Sequence, residues 1–151
     1  MRINLRALVT LVIFTGSVPA SADLLQFSMD DEISGESDHF VIVKAEDWDH
    51  ISWENELVFA CYRSGDVSVR WHHGGTHSGW YDEPHEAITA KFDTDEPVDM
   101  TLRSLAHPPF IDRMRSASVL IARPPSGGST SRFRLNGTSK AFSIFKTQCG
   151  V

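Results

Sequence analysis

The sequence predicts a mainly β domain, an antiparallel sandwich or strongly curved sheet of about seven strands, with two short helices and one disulfide. Three observations point there. Short alternating apolar runs recur between turn signals, two longer stretches carry a helical stripe, and only two cysteines are present.

The first strand in this reading is Phe40-Val41-Ile42-Val43, a short apolar run bounded by polar residues. Leu57-Val58-Phe59-Ala60-Cys61-Tyr62 follows, then the turn Ser64-Gly65-Asp66, then Val67-Ser68-Val69-Arg70-Trp71 with strict period-two alternation. That pair reads as a hairpin closed by a glycine-containing loop. Further strands are expected at Ala87–Phe92, Val98–Leu102, Ser118–Ala122 and Ser131–Leu135. Pro108-Pro109 open a helical stretch whose Phe110, Ile111 and Met114 share one face. A second helix, capped by Thr138 or Ser139, aligns Ala141, Phe142, Phe145 and Cys149. Asn136-Gly137-Thr138 matches a glycosylation sequon and reads as the turn before that helix.

The first 22 residues read as a cleavable export signal. Arg2 and Arg6 precede the apolar run Ala7–Phe14, Gly16 and Pro19 break it, and Ala20-Ser21-Ala22 offers a small-x-small cleavage site. The run is shorter than the roughly 20 residues a spanning helix needs, so no transmembrane anchor is expected after cleavage. Residues 23–151 then form a single β-rich domain in the periplasm or outside the cell. In that oxidising setting Cys61 and Cys149, 88 positions apart, are expected to pair.

A formal net charge of −6 argues against nucleic acid as a partner. The charge is unevenly spread: Asp23–Glu56 carries a balance of −10, the middle −5 and Leu102–Val151 +7. The acidic and basic ends are expected to face each other across the fold, or to leave a basic face bearing Arg132 and Arg134 for an acidic partner.

The stretch Arg70–His85 holds four of the seven histidines. His72, His73, His77 and His85 are candidate ligands for a divalent metal, the only cofactor the sequence suggests. Adjacent His72 and His73 would point to opposite faces if the strand continues through them. Trp71 continues the core alternation of Val67 and Val69, whereas Trp80 and Tyr81, with His77 and His85, are candidate surface contacts for a glycan or a protein. Trp48 and Trp53 read as packing residues beneath a loop. The carboxylate pairs Asp30/Asp31 and Asp93/Asp95 read as turn residues, and no G-x-S-x-G elbow or phosphate loop occurs. No catalytic residue is assigned.

Ser28-Met29-Asp30-Asp31, the strands around Val41–Ala45 and Leu57–Cys61, Phe110-Ile111, and Phe133-Arg134-Leu135-Asn136-Gly137 with Cys149 occur in an order that resembles a known family. It is that of the periplasmic type VI secretion-associated proteins of the TagO/VasI type, with related secreted bacterial and phage proteins. The family's Arg before Leu-Asp is here Ala90-Lys91-Phe92-Asp93, and the histidine-rich loop lies outside its pattern. The resemblance implies an accessory role and no catalytic residues. The function expected is a non-enzymatic adaptor that binds an envelope or secretion-system protein. A binder of peptidoglycan, an inhibitor of a wall-cleaving enzyme and a metal-binding protein are the alternatives.

Overall fold

A computed structural model describes residues 22, 24–31, 33–46, 55–73, 79–81, 85–124, 127 and 129–151. The export signal, apart from Ala22, lies outside the described residues, as do Trp48 and Trp53. Five strands form one antiparallel meander: β1 (Leu24–Asp30), β2 (Ser37–Lys44), β3 (Glu56–Cys61), β4 (Val67–His73) and β5 (Gly79–Tyr81). A second antiparallel sheet contains β6 (Ala87–Phe92), β7 (Val98–Thr101), β8 (Val119–Arg123) and β9 (Ser131–Arg134), in the order β7-β6-β8-β9. The helices are α1 (Pro108–Ser116) and α2 (Ser139–Cys149), and a 3₁₀ turn occupies Leu102–Ala106.

All seven expected strands are present, and β1 and β5 are additional. The inner face of the meander carries Val41, Val43, Leu57, Phe59, Val69 and Trp71, all essentially inaccessible to solvent. These positions alternate along their strands and stand opposite one another across the ladders, as Val41↔Phe59 and Leu57↔Trp71. α2 covers this face: Phe142 and Phe145 meet the Phe59 ring edge-on, with centroids 4.9 and 6.2 Å away. Burying each such aromatic contributes about 1.5–3 kcal/mol.

The two sheets meet at a buried polar link. Trp71 Nε1–H donates to Asn55 Oδ1 at 2.9 Å, and Asn55 Nδ2 donates to Ser131 Oγ at 2.6 Å. The Trp71 ring lies edge-on to Phe133, and Ala45 bridges the same residue through the backbone.

α1 begins with its prolines and buries Ile111 and Met114, as its stripe predicts, while the half-buried Phe110 stacks on Phe92. Gly137 makes the turn into α2 at φ 94°, and Gly150 ends the helix in the left-handed conformation. The start of α2 departs from the sequence reading. Thr138 already has helical backbone angles, φ −77° and ψ −15°, and makes no side-chain cap bond. A cap of the expected kind requires an extended residue whose hydroxyl reaches the amides ahead of it. The Thr138 hydroxyl is instead shared between the carbonyls of Met114 (2.7 Å) and Leu135 (2.8 Å), tying the end of α1 to the start of α2.

Cys61 and Cys149 form the disulfide, joining β3 to the last residue of α2 with their Cα atoms 5.8 Å apart. Closing an 88-residue separation is worth about 4–5 kcal/mol in the chain-entropy account. Cys61→Ser with Cys149→Ser is expected to lose that amount in urea denaturation; an unchanged midpoint would refute it. Thr138→Val should cost about 1–2 kcal/mol by the same measurement, because two buried carbonyls lose their shared donor. A neutral effect would show that the hydroxyl does not bind α1 to α2.

Candidate functional site

The strand β4 runs through His73, so His72 and His73 leave it on opposite faces and are not brought together. His73 is buried beside Trp71, and both rings approach the half-buried Tyr81 of β5. Tyr81 therefore packs partly against the core instead of standing free. The backbone of Trp80 pairs with His72, and His85 sits exposed in a turn. His77 lies outside the described residues. Among the described residues, no group of three or more His, Cys, Asp or Glu side chains is arranged to hold a metal ion.

The acidic pairs have structural occupations. Asp30 accepts the Ser37 hydroxyl at 2.6 Å. Asp31 accepts the Ile33 amide and pairs with Arg63, and these hold its carboxyl below the usual range, the amide more strongly. Asp93, at a positive φ of 48°, accepts the backbone amides of Ser118 and Val119, while Asp95 bonds Arg113. Each carboxylate closes a turn or a salt bridge. A further acid, Asp112, lies between the helices and accepts Lys146 Nζ at 2.8 Å and Arg115 at 3.1 Å. The Lys146 hydrogen bond is the main cause of its lowered pKa.

The basic expectation resolves into a specific surface. The register sets Lys91 beside Ile121, Thr89 beside Arg123, Ile121 beside Arg132 and Val119 beside Arg134. Directly opposed residues share a face, so Lys91, Arg123, Arg132 and Arg134 all stand on the outer face of the second sheet. The intervening residues Ala90, Leu120, Ala122 and Phe133 are buried on the other side. Glu46 receives both Arg132, at 2.9 Å, and Arg134. Acid from the N-terminal half thus meets base from the C-terminal half, and one carboxylate is shared by two guanidinium groups. Lys91 and Arg123 have no ion pair among the described residues. On the same face Asp99, opposite Thr89, accepts the Thr89 hydroxyl at 2.6 Å. The face retains a positive balance.

Two shallow hollows mark it. One, of about 130 Å³, is bordered by Thr89, Lys91, Pro97, Ile121, Arg123 and Thr130. The other, of about 250 Å³, is bordered by Glu46, Ser118, Arg132, Arg134 and Asn136. Lys91 and Arg123 are the members that sequence reading missed as site residues. Their outward places follow from alternation within Ile88–Phe92 and Val119–Arg123, but their neighbourhood depends on the β6–β8 register. No protein-family model, curated protein or solved structure matches this chain.

The lowered pKa of Asp112 has a consequence for stability. A carboxylate whose pKa falls on folding stabilises the native state above its unfolded value, and that contribution disappears as pH drops through the folded value. Asp112→Asn should therefore melt below the wild type at neutral pH, with the two midpoints converging as the pH falls through and below the ordinary aspartate range. Parallel curves across that window would show that the Asp112–Lys146 contact adds nothing.

Proposed function

We propose that the chain is an exported, non-enzymatic accessory domain that docks onto an acidic surface of another envelope protein. The observation that carries this reading is the outer face of the second sheet. Four cations from three strands surround Ile121 there, and two of them have no acid paired to them among the described residues. A partner carboxylate meeting Lys91 or Arg123 displaces no internal salt bridge, whereas one meeting Arg132 or Arg134 competes with Glu46. Rim charges of this kind act mainly on association rate and on choice of partner.

Export is part of the proposal. The disulfide suits an oxidising compartment, and among the described residues no helix is long and apolar enough to cross a membrane. The resemblance to the TagO/VasI type supports a secretion-system component as the partner.

The test is affinity capture from native envelope extract with the oxidised chain, beside sedimentation with purified peptidoglycan. A discrete acidic partner should be retained at moderate salt. Lys91→Glu with Arg123→Glu should weaken its binding at least about tenfold, roughly 1.4 kcal/mol, with the melting midpoint preserved. Arg132→Glu with Arg134→Glu should weaken it too, although these variants also release Glu46. Undiminished binding by the Lys91/Arg123 variant would remove this face from the account. Sedimentation with wall material and no protein partner would replace the adaptor reading with a glycan-binding one.

A further inference from the structure

We infer that two copies of this chain join through β1, antiparallel about a two-fold axis at Phe27, so that the five-stranded meander continues from one copy into the other. This inference rests on β1 alone and is independent of docking by the second sheet.

β1 lies at the edge of its sheet, and its outer side has no strand partner among the described residues. Its pairing to β2 is unbroken from Leu24↔Val43 to Asp30↔Ser37. It therefore presents a straight edge of seven residues. Exposed edges in monomeric proteins are usually shortened, bulged, or guarded by lysine or proline. β5, at the opposite edge, is only three residues long. β1 has none of these protections. It displays Leu25, Phe27 and Met29 on one face, 49%, 43% and 59% exposed. Phe27 is held in place by stacking on Phe40, with centroids 4.9 Å apart and planes 15° from parallel. A contiguous exposed apolar strip of this kind marks a surface that is covered in use.

The side-chain order indicates what covers it. Leu25-Gln26-Phe27-Ser28-Met29 reads apolar, polar, aromatic, polar, apolar, and is symmetric about Phe27. Two-fold antiparallel pairing sets Leu25 opposite the second copy's Met29, Phe27 opposite the second copy's Phe27, and Gln26 opposite the second copy's Ser28. Like meets like at each of these five positions. The one charge within the strand, Asp30, falls opposite Leu24, so no like charges are directly opposed. The acidic turn beyond Asp30 then lies at opposite ends of the joint in the two copies. Six residues of strand separate the two Asp30 positions along the axis, about 20 Å, roughly twice the screening length at physiological salt. Parallel pairing would set the same acids side by side. An unrelated strand would have to match this pattern by chance, whereas a second copy matches it by symmetry.

Sedimentation equilibrium on the oxidised full chain, over a wide concentration series, tests the inference. The mass should rise from monomer to dimer, and Phe27→Lys should raise the dissociation constant at least about tenfold. Lys91→Glu with Arg123→Glu should leave it unchanged. Cysteine cross-linking reads the register directly. Phe27→Cys should form a covalent dimer with itself, because directly opposed Cβ atoms lie about 4.5–5.5 Å apart. Leu25→Cys should link to Met29→Cys in a mixture and not to itself. The cross-links decide the matter even if Phe27→Lys fails to fold. A monomer at every concentration would overturn the inference, as would a dimer that gives none of these links.

Discussion

Burying Trp71 obliges the chain to supply an acceptor for its indole N–H, and the acceptor it uses holds the two sheets together. Indole nitrogen can only donate, which turns the Asn55 amide so that its oxygen faces Trp71 and its nitrogen faces Ser131. Asn55 stands at the head of β3 and Ser131 at the head of β9. One side chain thus joins the head of β3 to β4 and to β9 of the other sheet. Removing any member takes a hydrogen bond from the buried polar groups that remain, at a cost of about 1–3 kcal/mol. Around this link lie Phe133, Ala45 and the inner faces of β2 and β3, and the aromatic cap provided by α2 covers the same core.

Charge in this protein is arranged with comparable economy. The acidic N-terminal half and the basic C-terminal half meet at Glu46, which pairs with both Arg132 and Arg134 of β9. Arg63 is drawn to Asp31 and Asp38, and Arg113 to Asp95 while also lying over the Phe92 ring. Most cations on the C-terminal side are thus committed to internal work. Lys91 and Arg123, which have no ion pair among the described residues, stand beside Ile121, where positive charge coincides with a shaped surface.

Much of this fold was legible in the sequence because its core strands alternate cleanly. Val67-Ser68-Val69-Arg70-Trp71 states its buried face residue by residue, and the helical stripe of Ala141, Phe142, Phe145 and Cys149 states its own. β1 does alternate, with Leu25, Phe27 and Met29 between polar residues, but that pattern assigns the three to a buried face whereas they point away from the core. β5 escaped because three residues carry no period. Thr138 was read as a cap by residue type, but its backbone angles assign the hydroxyl to another task. The cationic face was only half legible. Arg132 and Arg134 alternate visibly within one strand, whereas Lys91 and Arg123 become neighbours through a register that no local pattern encodes. Glu46, nearly ninety positions away, was invisible as their companion.

The position of the disulfide also constrains the order in which the molecule can be completed. A chain delivered N-terminus first presents Cys61 while β4, β5, both helices and the whole second sheet are still to come. Its thiol must wait for Cys149, which closes α2 after every other element has been supplied. Since the sequence holds only these two cysteines, no incorrect intramolecular bridge can form in the interval. The bond acts as a latch between α2 and the meander, and with a single possible pairing it requires no isomerase to sort alternatives.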